Sequence, residues 1–359
     1  MKRNTGKDTE RLWWFNPQND LALAADTPYY TPPKAAAELA RAGELLPMWL
    51  AAEKDMIQTN GVNAHWLDTL SERTGVSVNL WNRSTESLRP TPWGWSAAAR
   101  THFIQSGFED KQCPSDAELA EWRNLSGRAT AENIDKHIFP ETFKKRVVRA
   151  ESDLDEILAG NGDVVIKTPW SCSGRGVSFH DGRRGAEIRS RVNSIIRSYG
   201  YATVEPKIAV QLEFGLLFEY DGEEARLYGL SRTISGPGGK YSGNVVETPA
   251  VHKAVIDNMA GEDGFTDTLA SKAARAIAET LGDAYHGPIG LDFILGDGEV
   301  HLCEHNLRYT MGFVCAGIYE KTGLKGLLTV EKASTGLNSS DISLTQPGTE
   351  LQFVLHINA

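Results

Sequence analysis

The spacing of apolar positions along the chain changes repeatedly, and each change marks an element. Leu12-Trp13-Trp14-Phe15 is a short apolar run that ends in Asn16-Pro17-Gln18-Asn19-Asp20, which reads as a strand entering a turn-rich loop. Ala, Leu and Glu over residues 34–56 predict helix, and the alternation Val76-Ser77-Val78-Asn79-Leu80-Trp81 predicts a strand. Pro90-Thr91-Pro92-Trp93-Gly94-Trp95 breaks the pattern; Ser96 is then placed to cap a helix to about Gln105. A helix follows over Ala117–Leu125. Together these predict a small α/β unit.

A second unit opens near Ala129. Ser152 begins a short helix to Leu158, with Asp155 where a capping-box acid would sit. Asp163-Val164-Val165-Ile166-Lys167 predicts a strand, Glu187–Tyr199 a helix, and residues 202–213 and 225–234 strands. Thr266–Leu281 is an alanine-rich helix, Ile289–Asn306 a hairpin around Asp297-Gly298, and Leu351–Leu355 a closing strand. The fold class expected is α/β (α+β).

Composition narrows the function classes. At about 150 residues per domain, 359 residues make two or three domains. Hydrophobic residues at 41% and charged residues at 23% exclude a mainly disordered chain. The 37 Lys and Arg against 47 Asp and Glu leave a net charge of −10, which argues against a general nucleic-acid binder but permits a local basic pocket for a small phosphate. Four cysteines without CxxC spacing fit a reducing compartment. Met1–Glu10 lacks the apolar region of a secretory signal, and the run Leu45–Ala52 is too short to span a bilayer. The expectation is a cytoplasmic protein without membrane or nucleic-acid partners.

Two segments carry candidate chemistry. In the hairpin, Glu304 and Asn306 share a strand face because side chains alternate with period two. A three-residue loop, Gly296–Gly298, would put Asp292 on that same face, diagonal to Glu304; a two-residue Asp-Gly turn would turn it away. Carboxylates and an amide oxygen suit a hard cation such as Mg²⁺. The alternative is an outward, solvated charged face. His301, Cys303 and His305 fall on the other face with no usual zinc spacing. The second segment places Lys167 at a strand end, followed by Thr168-Pro169-Trp170-Ser171-Cys172-Ser173-Gly174-Arg175-Gly176. Such a loop can offer backbone N–H groups to phosphate while the lysine adds a point charge. It matches neither the Walker A nor the Rossmann pattern, and an ordinary hairpin remains the competing reading.

Taken in order, these segments resemble the ATP-grasp superfamily over residues 130–318. Lys167 with Ser173, Gly174, Arg175 and Gly176 resembles its phosphate lysine and glycine loop. Val204-Glu205-Pro206-Lys207-Ile208 resembles its adenine hinge. Asp292, Glu304, Asn306 and Arg308, spaced by twelve, two and two, resemble the closing quartet of biotin-carboxylase-type members. The resemblance implies two α+β subdomains gripping the nucleotide, preceded by a small α/β domain, with divisions at 1–128, 129–204 and 205–359. It implies ATP and Mg²⁺, or Mn²⁺, as cofactors. Glu205 and the backbone near Lys207 would meet adenine, Glu213 the ribose or merely solvent, and Lys167 the phosphates. Lys136 is the preferred earlier basic residue, with Lys144 and Lys145 as alternatives. Asp292, Glu304 and Asn306 would hold metal, and Arg308 would offset charge on the transferred group. Arg232 and Lys240 flank a glycine-rich loop that either binds a substrate carboxylate or is a mobile surface loop. The implied activity is ligation of a carboxylate to an amine or thiol through an acyl phosphate. An ATP-grasp kinase and a silent nucleotide-binding protein are the competing classes; the sequence leaves the oligomeric state open, a homodimer among the options.

Overall fold

A computed structural model describes residues 9–142, 146–159, 162–171, 176–236 and 240–357, without the side chains of Glu156 and Lys240. The chain begins β1 (Arg11–Trp14), α1 (Asn19–Ala25), α2 (Lys34–Ala42), β2 (Met56–Ile57), α3 (Ala64–Thr74), β3 (Asn79–Leu80), β4 (Arg89–Pro92), α4 (Ala97–Gln105) and α5 (Asp116–Leu125). It continues through α6 (Arg128–Ile138), β5 (Val147–Val148), α7 (Leu154–Leu158), β6 (Val164–Lys167), β7 (Val177–His180), α8 (Gly185–Tyr199), β8 (Ala202–Pro206), β9 (Val210–Tyr220) and β10 (Ala225–Gly236). It closes with β11 (Lys240–Val246), α9 (Pro249–Ala260), α10 (Phe265–Leu281), β12 (Gly287–Gly296), β13 (Glu299–Asn306), α11 (Met311–Thr322), β14 (Gly326–Lys332), β15 (Ile342–Ser343) and β16 (Leu351–Ile357).

Two compact units result: residues 1–120, 243–248 and 308–359 form one, residues 121–242 and 249–307 the other. These boundaries differ from the three-part division drawn from the sequence. The difference arises because the chain from Arg308 onward packs on early residues. Tyr309 N–H donates to Trp93 O at 2.9 Å, and the Tyr309 ring lies 5.0 Å from that of Trp13. Gly317 sits where an added Cβ would be 2.3 Å from Trp49 O.

In the first unit β3, β2, β1 and β4 form a parallel sheet in that order. Leu12, Leu88, Phe103, Phe108 and Cys113 bury one side of it. Ser96 caps α4 as expected, its Oγ accepting from Ala99 N at 3.3 Å. The helix expected over 34–56 stops at Ala42. Gly43 lies against Phe15, and Pro47 starts only a short 3-10 turn at Leu46–Trp49. The strand expected over 76–81 contracts to an edge pair, Asn79–Leu80. Strands β14, β16 and β15 also pair antiparallel in this unit, joined by the Gly243–Val246 part of β11.

The second unit also has two sheets. The smaller, ordered β5-β8-β6-β7, is antiparallel and packs Val148, Val164, Ile166, Ala202 and Val204 against Ile188, Val192 and Ile195 of α8. The larger runs β13-β12-β9-β10, with α6 packed on β13 and α10. The strand expected over 202–213 is broken after Pro206, so β8 and β9 join different sheets. Helix α7 is preceded by a 3-10 turn, and its capping acid is Asp153: the carboxylate accepts from Arg149 N at 2.9 Å and Ala150 N at 3.1 Å. Ser152 and Asp155 do not fill those roles.

Candidate functional site

The β12–β13 hairpin turns through two residues, Asp297 (φ 54°) and Gly298 (φ 80°), both left-handed as a type I′ turn requires. Gly296 therefore opposes Glu299. Continued without interruption, this register would set Asp292 against Cys303, away from Glu304. A β-bulge intervenes: Phe293 opposes Leu302, but Asp292 opposes Glu304, leaving Cys303 as the extra residue on β13. The expected three-residue loop is thus replaced by a shorter turn plus a bulge. Asp292 and Glu304 share a face as direct rather than diagonal partners. Asn306 Nδ2 donates to Asp292 Oδ2 at 2.8 Å, which ties the third member to the pair.

Strand pairing brings the basic groups to this hairpin. Val165 opposes Glu205 and Lys167 opposes Thr203, so Lys167 and Glu205 lie diagonally on one face. Lys167 Nζ donates to Glu205 Oε2 at 2.7 Å and to Cys303 O, the carbonyl of the bulged residue, at 3.2 Å. Arg146 donates to Leu302 O at 2.9 Å, pairs with the Asp135 carboxylate and stands 3.9 Å from Glu205. Arg128 donates to Ser171 Oγ at 3.0 Å and to Glu304 Oε1 at 3.2 Å. Three cations are therefore interleaved with the carboxylates of Asp135, Glu205 and Glu304. Lys167 and Arg128 are buried. Burial opposes the charge on Lys167, yet Glu205 beside it holds its pKa above the ordinary value. Burial likewise opposes ionisation of Glu205, while Lys167 and Arg146 hold its carboxyl below the usual range. Burial raises Asp135 despite Arg146, and pushes the Cys303 thiol up to about 11.

Lys136 is exposed on α6, whereas Asp135 beside it is buried; the basic groups of the cluster are Arg128 and Arg146. Glu205, expected at adenine, accepts from Lys167 Nζ at 2.7 Å. The Lys207 N–H is taken by Asp163 O at 2.9 Å and its side chain is exposed, so this amide is not offered to a base edge. Glu213 is half-buried and accepts from Ser235 Oγ at 2.5 Å. Arg232 Nε donates to His252 Nδ1 at 3.0 Å. Arg308 belongs to the first unit, where Asp20 grips its Nε at 3.0 and 3.1 Å and its Nη2 at 2.7 Å. On the far side of β13, His305 Nε2 donates to Leu125 O at 2.7 Å, which removes it from any zinc set with His301 and Cys303. Lys144, Lys145, Cys172, Ser173, Gly174, Arg175 and the Lys240 side chain lie outside the described residues. Gly176 is described: its φ is +76°, and a Cβ there would fall 2.3 Å from Thr168 Oγ1.

Sequence reasoning missed Arg128, Arg146, Asp135 and Asp20. For Arg128 a signal existed. It is the first residue of α6, after the N-cap Gly127, where the helix dipole disfavours a cation. A charge placed against that preference points to a role outside the helix.

The donor set suits a hard cation. Two facing carboxylates and an amide leave positions for phosphate oxygens, the usual way Mg²⁺ is held. Among the described residues, buried Arg128 Nε has no hydrogen-bond partner, and a phosphate oxygen would supply one.

No family model and no curated protein matches the sequence. Solved structures do match in fold. A phosphoribosylamine–glycine ligase from Thermotoga maritima aligns with a TM-score of 0.51 and 13% identity, over 96% of this chain and 92% of that one. An N5-carboxyaminoimidazole synthetase from Staphylococcus aureus, solved with ADP, gives 0.50 and 11% over 100% and 96%. A biotin carboxylase from Campylobacter jejuni, solved with β,γ-ATP, gives 0.50 and 12% over 97% and 87%. With the lysine strand and the carboxylate hairpin described above, these likenesses establish that the chain has the ATP-grasp fold.

Proposed function

We propose that the protein is an ATP-dependent, ADP-forming ligase that activates a carboxylate as an acyl phosphate for attack by an amine or thiol. The observation that carries this reading is the meeting of Lys167, Arg128 and Arg146 with the Asp292–Glu304–Asn306 hairpin in one unit of an ATP-grasp fold. A substrate carboxylate oxygen would bond to the γ-phosphorus while the bond to ADP breaks; the amine or thiol would then take the acyl group and release phosphate. No protein nucleophile is required. Among the described residues, Glu205 and Cys303 O engage two of the three Lys167 donors, which leaves one for a phosphate oxygen. Arg128 and Arg146 would spread further positive charge over the triphosphate. Asp292, Glu304 and Asn306 would hold Mg²⁺ or Mn²⁺, which when bound offsets charge on the phosphates. On sequence pattern we assign Glu205 to the adenine end, Glu213 to the ribose, Ser173–Gly176 to the phosphates, and Arg232 and Lys240 to the substrate carboxylate.

The test is Mg²⁺-dependent release of ADP and phosphate from ATP with pooled carboxylates, amines and thiols. ADP with equal free phosphate, only when both substrates are present, supports the ligase; ADP with phosphate retained on the substrate would make it a kinase. Glu304→Gln is expected to lower ADP release at least 100-fold with a melting temperature within a few degrees of the parent. Unchanged turnover would remove the hairpin from the chemistry.

A further inference from the structure

The two aromatic and amide-rich loops of the N-terminal region meet in the first unit. Asn16 clamps Gly94 from both sides: its Nδ2 donates to Gly94 O at 2.8 Å and its Oδ1 accepts from Gly94 N at 3.3 Å. Gly94 lies so close to Asn19 that a Cβ would fall 2.5 Å from its amide nitrogen. Beside this junction is a cleft of about 460 Å³ lined by Trp14, Gln18, Asn19, Tyr29, Ser96 and His102, among others.

Three features define what it accepts. Among the described residues no lysine, arginine, aspartate or glutamate lines it. Burial pushes His102 down to about 4, so this ring is neutral at pH 7 and stacks on Trp14 at 3.7 Å. Among the described residues, Asn19 Oδ1 and Gln18 Oε1 are buried acceptors without a hydrogen-bond partner, and Asn19 is only 1% exposed. An orphaned buried acceptor is unfavourable until a donor reaches it. Tyr29 stands 79% exposed, an aromatic face left to solvent.

We propose that this cleft binds the amine or amide group of a small, flat-bodied ligand that carries no phosphate, with Asn19 and Gln18 accepting its N–H groups and Trp14 and Tyr29 meeting its body. A phosphate would find no cation here.

Calorimetric titration of the full chain without ATP tests it, using benzylamine, benzamide and phenyl phosphate as probes. At least one nitrogen probe is expected to bind saturably, at least tenfold tighter than phenyl phosphate. Gln18→Met and Asn19→Leu are each expected to weaken that binding fivefold or more, and Tyr29→Ala by a smaller factor. Should Asn19→Leu not fold, half-buried Gln18 and exposed Tyr29 decide the matter. Equal or tighter binding of phenyl phosphate, no binding of either nitrogen probe, or binding indifferent to Gln18→Met and Tyr29→Ala overturns the proposal. Because ATP is absent, these outcomes are independent of whether the ADP assay succeeds.

Discussion

Lys167 shows how one side chain can be both structural and chemical. It is buried, and its charge is tolerated because Glu205 sits 2.7 Å away. Removing one partner of a buried pair typically costs about 3–5 kcal/mol, since the other charge is left uncompensated. Lys167→Met should therefore lose about that much stability, and ATP affinity should fall at least tenfold. The double variant Lys167→Met with Glu205→Gln should recover part of the stability but none of the affinity, as read by urea unfolding and ATP titration. Recovery of both would make the lysine purely structural. His102 gives a prediction of opposite kind. Its pKa falls from 6.5 to about 4 on folding, so the unfolded chain binds the extra proton between those values. Its contribution is complete above pH 6.5 and lost as pH falls towards 4, on the order of 2–3 kcal/mol. Urea unfolding of His102→Gln should show a flatter pH dependence in that window than the parent.

At the scale of elements, the hairpin is the instructive case. Its existence, and the sharing of a face by Glu304 and Asn306, follow from alternation and the Asp-Gly turn. The position of Asp292 does not. It depends on a bulge at Cys303 that compensates the two-residue turn, and no local pattern announces an unpaired residue inside a strand. The strand 202–213 fails similarly: its apolar content is right for β8 and β9, but which sheet each joins is decided by distant partners. Arg128 and Glu304 are 176 residues apart in the chain, so their contact has no periodic signature. Two glycines separate the roles of turn and loop. Gly298→Val forces a branched residue to φ 80°, and should cost about 1–2 kcal/mol in urea unfolding while leaving ADP release near the parent value. Gly176→Ala drives a methyl into Thr168 Oγ1 beside the glycine loop, and should raise the KM for ATP several-fold. If Gly298→Val abolished turnover instead, the turn and not the bulge would be fixing the carboxylates.

For the molecule as a whole, local signals marked the Lys167 strand and the carboxylate hairpin but not that both fall in one unit, nor that residues 308–359 return to the other. Tyr309 on Trp13 and Arg308 on Asp20 are tertiary choices among many aromatic and charged candidates. Among the described residues no helix is long and apolar enough to cross a membrane. Ligand linkage offers a test at this scale: MgATP at 100 times its dissociation constant should stabilise the protein by about 2.7 kcal/mol. Thermal unfolding with ATP should therefore shift upward with Mg²⁺, and the shift should shrink when EDTA is added; an equal shift with and without EDTA would detach the hairpin from metal. The Cys303 thiol, pushed up to about 11 inside this cluster, carries one more consequence. At pH 7 on the order of one such thiol in 10,000 is ionised, against a few per cent for an ordinary cysteine, and only the thiolate reacts with peroxide or alkylating reagents. Peroxide and alkylating reagents are therefore expected to react with Cys303 far more slowly than with an ordinary cysteine.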